Sequence, residues 1–385
     1  MMTNLLKQYQ FLLKITLSLG LITLITSCGN SPEVMAEGRV FLPLSLEFLG
    51  EYQLKENTFE NTRLGGLSGI TYDRANDLFY AVSDDRSNHN PARFYTLKLN
   101  LTAEEAIANV TVENVTFLKD ENGVQYLRDT VDFEGIALSV RNTLFLSSEG
   151  VYKNKIDPLI KEFDLTTGQV LNHVKIPQRF LLDENEQTGI QDNLGFESLS
   201  LGISSLAADD PFRLFTATEY NLLQDYSKEN PEPQSSIRFL HYLINPIGEP
   251  LLVAEHLYLL EPNPEGGIYH GLSELTSLDR EGYLLSLERT FGLSGYGAKI
   301  FQLVMGNATD TSGVESLRGN PTTIQPIQKQ LLLDLNNLGI TLDNLEGMAI
   351  GPRLKDGSLS LLLVSDDNFR NDQVTQFLLF RIKNN

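Results

Sequence analysis

An all-β fold, a β-propeller of five blades, is what this sequence predicts, and three observations predict it. One short pattern recurs five times, strand-like runs fill the intervals between its copies, and the two chain ends together supply one further interval. Internal repeats fix an architecture before single elements do. In each copy an apolar residue, a Ser or Glu, a small or polar residue and a second apolar residue are answered by a strand that ends in an acid. The copies are Leu67-Ser68-Gly69-Ile70 with Val82-Ser83-Asp84-Asp85, Phe133-Glu134-Gly135-Ile136 with Ser147-Ser148-Glu149, and Phe196-Glu197-Ser198-Leu199 with Ala217-Thr218-Glu219. Leu272-Ser273-Glu274-Leu275 with Ser286-Leu287-Glu288-Arg289, and Leu345-Glu346-Gly347-Met348 with Val364-Ser365-Asp366-Asp367, complete the set.

Successive copies start 66, 63, 76 and 73 residues apart. Between them lie Arg93–Leu99 and Val112–Leu118, Ile160–Leu165 and Gln169–Ile176, Ile237–Ile244 and Leu251–Leu260, then Lys299–Met305 and Gln328–Leu335. Each is rich in β-branched and aromatic residues and bounded by Gly, Pro, Asn or Asp, the signature of a strand. Four strands per repeat make a propeller blade. After Glu346 only 39 residues remain, room for Ser358–Val364 and Thr375–Ile382 but not for a fourth strand. Leu44–Leu54, near the other end, supplies it. Pairing first and last strands in one blade closes the ring and removes exposed sheet edges. A six-bladed ring, its extra blade lacking the motif, is the alternative.

Ahead of the propeller domain, placed at 44–385, two segments have other roles. Lys7 and Lys14 precede the apolar run Ile15–Ile25, which has the length of a signal-peptide core and is short for a bilayer span. Ile25-Thr26-Ser27-Cys28 resembles a bacterial lipobox, in which the Cys is lipidated and becomes the new N-terminus. The expectation is a lipoprotein signal peptide over 1–27, lipidation at Cys28, a tether over 28–43, and a mature protein held by lipid on the extracytoplasmic side of a bacterial membrane, periplasmic or cell-surface. Several acyl chains on one Cys anchor stably where a single one does not.

Composition removes other classes. The chain has 385 residues with 30 Lys+Arg against 50 Asp+Glu, a net charge of −20, which argues against nucleic acid as a partner. At 41% hydrophobic and 21% charged it is globular. A single Cys excludes a disulfide framework and a Cys-based metal site within one chain. No G-x-S-x-G elbow, H-E-x-x-H, Walker A loop or dinucleotide fingerprint is present.

The repeat also locates a site. In a propeller the innermost strand of each blade lines a central channel and the next runs antiparallel to it, so the start of one and the end of the other share a face. Ser68, Glu134, Glu197, Ser273 and Glu346 are expected to form one ring; Asp84, Glu149, Glu219, Glu288 and Asp366 a second beside it. Like charges so close must raise their pKa values, pair with cations or hold a metal ion. Arg86 and Arg289 follow ring acids directly, and Arg370 and His270 lie near repeat positions, giving candidate substrate-binding groups. Oxygen ligands with almost no imidazole favour Ca²⁺. The alternative for each acid is a turn former bonding its own backbone, and Asp85, Glu274 and Asp367 are expected to be solvated or turn residues.

Gly66-Leu67-Ser68-Gly69-Ile70, Asp132-Phe133-Glu134-Gly135-Ile136, Gly195-Phe196-Glu197-Ser198-Leu199, Leu287-Glu288-Arg289 and Leu345-Glu346-Gly347-Met348-Ala349 together resemble the phytase-like domain family, "esterase-like activity of phytase". The resemblance extends from about Leu44 to the C-terminus and implies hydrolysis of phosphoesters or carboxyl esters, with calcium in an acidic channel mouth. Propeller phytases hold substrate phosphates with Lys and Arg, and this sequence offers few there, which counts against phytate. The expected function is a calcium-dependent hydrolase of a small ester or phosphoester: Ser68, Glu134, Glu197, Ser273 and Glu346 on the metal, Asp84, Glu149, Glu219, Glu288 and Asp366 in catalysis, and Arg86, Arg289, Arg370 and His270 on substrate. A non-catalytic binding lipoprotein with a structural metal and a calcium-dependent lactonase are the rivals.

Overall fold

The computed structural model describes residues 40–384 apart from 184, 186, 203–206, 228, 230–233 and 320–321. The signal-like run and Cys28 lie outside the described residues. A strand β1 (Leu44–Gln53) and a small hairpin, β2 (Thr58–Phe59) and β3 (Thr62–Arg63), precede the blades. Blade one holds β4 (Leu67–Asp73), β5 (Leu78–Ser83), β6 (Arg93–Leu101) and β7 (Ile107–Phe117). Blade two holds β8 (Phe133–Leu138), β9 (Thr143–Ser148), β10 (Leu159–Asp164) and β11 (Val170–Val174). Blade three is β12 (Phe196–Gly202), β13 (Phe212–Thr218), β14 (Ser236–Ile244) and β15 (Leu251–Leu259). Blade four is β16 (Gly267–Ser277), β17 (Tyr283–Gly292), β18 (Gly295–Val304) and β19 (Gln328–Asp334). Blade five takes β20 (Asn344–Arg353), β21 (Leu359–Asp366) and β22 (Gln376–Asn384), and β1 completes it as the outermost strand, antiparallel to β22.

Five antiparallel four-stranded sheets therefore make the ring, and the alternative of six is set aside. The inner strands β4, β8, β12, β16 and β20 touch in cyclic order, and β20 meets β4. No α-helix occurs among the described residues, and none of their helices is long and apolar enough to cross a membrane.

Each blade is apolar on both faces because each is sandwiched between two others. Tyr80, Val82 and Phe94 of blade one pack on Phe133, Leu144 and Phe163 of blade two. Phe145 and Ile160 of blade two meet Phe196, Leu214 and Leu240 of blade three, and equivalent cores fill the three remaining gaps. Burying such side chains contributes about 1.5–3 kcal/mol each. Edge-to-face pairs such as Phe133–Phe163, with centroids 5.6 Å apart, set their packing.

Candidate active site: an acidic cup at one channel mouth

The repeated motif is a repeated β-bulge. Pairing of the two inner strands jumps between Leu67 and Gly69, Phe133 and Ile136, Phe196 and Ser198, Leu272 and Glu274, and Leu345 and Gly347. The residue skipped is in turn Ser68, Glu134, Glu197, Ser273 or Glu346. A bulge re-aims one side chain and bends its strand, which here turns the motif residues toward the ring axis. Glycine follows in three blades because the next inner strand crowds the backbone: a Cβ on Gly135 would lie 2.6 Å from the Glu197 carbonyl oxygen.

The second-strand acid is fixed by the residue before the motif. Asp84 donates its N–H to the Gly66 carbonyl (2.9 Å), Glu149 to that of Asp132 (3.1 Å) and Glu219 to that of Gly195 (2.7 Å). At that preceding position Gly195 leaves room for Glu149, and Gly271 for the Glu219 carboxyl. Blades two and five place Asp132 and Asn344 there instead, and both side chains join the site.

Glu134, Glu197 and Glu346 of the first expected ring, and Asp84 and Asp366 of the second, line one cleft of about 540 Å³, with Arg86 and Arg289. Glu149 and Glu219 lie directly beneath, at most 1% exposed. Asp132, which sequence reasoning did not assign to the site, sits among them. Single oxygens of Asp132, Glu134 and Glu149 all lie within 4.8 Å of one another. Eight carboxyls, seven of them on buried residues and the eighth on half-buried Asp84, thus meet two guanidinium groups.

Each arginine clamps two acids. Arg86 pairs with Asp132 and with Glu149 (3.3 Å), and donates to Asn193 Oδ1. Arg289 bridges Glu219 (2.5 Å) and Glu346, and donates to Asn344 Oδ1 at 2.7 Å. Asp84, Glu134, Glu197 and Asp366 have no cation in direct contact among the described residues.

Burial dominates the electrostatics. It pushes Glu134, Glu197, Asp84 and Asp366 well above the ordinary carboxylate range, and neighbouring acids push them further. For Glu346 burial is opposed by Arg289, and its pKa rises to about 7; Asp132, opposed by Arg86, also rises to about 7. Asp84 Oδ1 and Asp132 Oδ1 are buried without a hydrogen-bond partner. A buried oxygen left so is costly, and an all-oxygen set of this kind suits a hard divalent cation.

Five non-glycine residues at the rim hold left-handed backbone: Arg86 (φ 45°) and Ser87 (φ 56°) on one loop, Asn193 (φ 58°) on a second, and Asn368 (φ 47°) and Phe369 (φ 53°) on a third. Such strain costs on the order of 1–3 kcal/mol per residue and gathers at functional sites.

Five expected positions fall elsewhere. Glu288 pairs with Leu272, as Ser83, Ser148, Thr218 and Ser365 pair with the first motif residue of their own blades. It therefore takes the place of those hydroxyl residues, and Arg289 holds the acid's place. A one-residue offset reverses which face a side chain meets, and Glu288 turns away to accept from Tyr258 (2.6 Å) and Lys329 (2.6 Å). Ser68 donates to the Glu134 carbonyl (3.1 Å) and Ser273 to that of Leu287 (3.2 Å), so these hydroxyls stitch backbone and do not face the cup. Arg370 is exposed and paired with Asp372 at 2.8 Å. His270 lies behind Glu219 against Tyr220, and burial lowers its pKa.

Of the three acids expected to be solvated or turn residues, Asp85 and Asp367 do accept from nearby backbone, His89 and Asn90 N–H for the first and Phe369 N–H for the second, and all three are further held within the structure. Asp85 binds Arg93, both fully buried. Asp367 accepts the N–H of Gly66 at 2.9 Å. Glu274, 1% exposed, accepts from the N–H groups of Leu275 (2.8 Å) and Leu199 (3.2 Å), inside the channel between two inner strands.

Fold and cup together define a propeller of hydrolase type. The chain belongs to the phytase-like family, described as "esterase-like activity of phytase", whose model matches residues 62–369. Comparison with curated proteins gives no match. Among solved structures, the chain is similar to the catalytic domain of a Coprinopsis cinerea GH62 alpha-L-arabinofuranosidase, at 9% identity and TM-score 0.41 over 88% of this chain and 97% of that one. A thermostable family-43 glycoside hydrolase gives 10% identity and TM-score 0.40 over 85% and 92%. Likeness of that size assigns no substrate.

Proposed function

We propose that this protein is a calcium-dependent hydrolase acting on an ester at the acidic cup, exported and held to a membrane by lipid on Cys28. One observation carries the reading: eight carboxyls, seven of them buried, share two arginines, a deficit of positive charge that a divalent cation would meet. Asp132, Glu134 and Glu149 are the residues that would hold it. Bound there, calcium supplies Lewis acidity and charge neutralisation.

The chain's own groups do the rest. Glu346, with a pKa of about 7, is divided between its two protonation states near neutrality, the condition under which one carboxyl can accept a proton from water or give one to a leaving oxygen. Arg289 holds that carboxyl in place and stabilises its ionised form. Arg86 orients Asp132 and Glu149 in the same manner. The buried floor excludes bulk water, which strengthens each of these interactions.

The Glu134→Gln/Glu197→Gln double variant tests the assignment. It is expected to keep its fold, lose calcium binding by calorimetry, and lose calcium-dependent turnover across a panel of aryl esters, aryl phosphates and lactones. Unchanged turnover rejects the site. The rival reading, a non-catalytic binding platform with a structural metal, is favoured by the ion pairs that tie Arg86 and Arg289 to acids of the protein itself. Calcium that raises the melting temperature with no turnover on the panel selects it. Mass spectrometry of membrane-extracted protein for an acylated N-terminal Cys28 tests the anchor.

A further inference from the structure

We propose that the cup receives a neutral, hydroxyl-rich ring, a sugar or cyclitol carrying a carboxyl ester, in preference to a phosphorylated one. The inference rests on the hydrolase reading of the same site and narrows its substrate class.

Positive charge decides against phosphate. A phosphomonoester brings nearly two negative charges at neutral pH, and recognition of phosphate calls for free guanidinium or ammonium donors. Both arginines of the cup are already clamped between pairs of carboxyls. The nearest other cations are also occupied: Arg63 donates to the Phe369 carbonyl and Arg370 pairs with Asp372. The described lining residues include no lysine, and their only guanidinium groups, Arg86 and Arg289, are outnumbered by the acids around them.

The rim also offers uncharged groups. Asn88, Asn193, Asn344 and Asn368 line the cleft; Asn193 and Asn344 already accept from Arg86 and Arg289, while Asn88 and Asn368 each bring an amide donor and acceptor, the pattern a hydroxyl needs. Beside them Phe291 packs on Tyr296 with centroids 4.8 Å apart, and Phe291 remains 37% exposed, so an aromatic surface faces the opening. A ring with an apolar face and a hydroxyl edge matches amides set next to aromatics. The cleft of about 540 Å³ has space for such a unit. In the reaction, water oxygen bonds to the acyl carbon and the bond from that carbon to the ring oxygen breaks. The ring leaves as an alcohol with one proton of the water, and the acyl group departs as the acid.

The test uses the calcium-loaded full chain. Saturation-transfer NMR is run with glucose and myo-inositol against phosphorylated glucose and myo-inositol hexakisphosphate, and turnover of acetylated glucose is compared with that of phosphorylated glucose. The neutral rings are expected to bind in the millimolar range and the phosphorylated ones more weakly. Phe291→Ala and Tyr296→Ala should each weaken binding by roughly three- to tenfold, with Tyr296→Phe close to the parent. Tighter binding or faster turnover of the phosphorylated ring, or no binding of either neutral ring, overturns the inference. Neutral-ring binding without hydrolysis of any ester leaves it standing and rejects the hydrolase reading. Hydrolysis of the phosphate alone does the reverse.

Discussion

Carboxyls are buried at two places in this propeller, and the two are balanced differently. In blade three Arg238, fully buried, binds Asp225 through Nε (2.6 Å) and Nη2 (2.9 Å), binds Glu255 through Nη1, and donates to the Val314 and Glu315 carbonyls. Asp225 also accepts the Leu317 N–H at 2.7 Å. Arg179 lies 3.6 Å from Glu255 as well, so two guanidinium groups serve two acids, and Arg238 also holds the segment after β18 through the Val314 and Glu315 carbonyls. In the cup two guanidinium groups face eight acids. The first arrangement looks after itself; the second is complete only with something added. Strong pKa perturbation marks a functional site when structural pairing does not account for it, and the contrast between these two regions supplies that distinction.

Breaking the balanced cluster should have the largest effect. Arg238→Met leaves Asp225 buried without a counter-charge and Glu255 with only Arg179, 3.6 Å away, and unfolding in denaturant should show a loss of about 3–5 kcal/mol. A loss near zero would erase the contrast. The cup should respond to pH in the opposite sense to an ordinary paired carboxylate. Asp132 and Glu346 have folded pKa values raised to about 7, so folding favours their protonated forms. The metal-free protein should therefore be most stable where these groups are protonated, and should lose stability as pH rises from the unfolded carboxylate range near ~4 through about 7. Thermal unfolding between those limits, with chelator and with calcium, checks the sign: calcium should flatten the profile, and a chelated protein that gains stability as pH rises contradicts the assignment. The smallest effects should come from residues that only looked like members of the ring. Glu288→Gln and Arg370→Ala should leave turnover unchanged while Glu219→Gln abolishes it, measured on the same ester.

Much of this was legible in the sequence because a propeller repeats its solution. The strands, the closing role of Leu44–Leu54 and the gathering of Glu134, Glu197, Glu346, Asp84 and Asp366 all follow from one motif met five times. Blade four misled at a single step. Aligned on its acid, Glu288 enters the ring; aligned on the residue that pairs with the first motif residue, a hydroxyl in the other blades and Glu288 here, Arg289 does. The second alignment is the one the backbone pairing obeys. Asp132 was hidden for a related reason: it occupies a position held by glycine in three blades, so it belongs to no repeated chemistry. The fates of Ser68 and Ser273 depended on a hydroxyl short enough to reach the adjacent backbone, which spacing along the chain does not encode.

The circular closure has a consequence for how the molecule must be made. Leu44–Gln53 leads the propeller, yet its partner Gln376–Asn384 is the final strand. During synthesis the leading strand waits, unpartnered, until nearly the entire polypeptide has been made. A premature stop anywhere in blade five would therefore strand both ends at once, and a chain so truncated should be a substrate for quality-control proteases, not a smaller working protein.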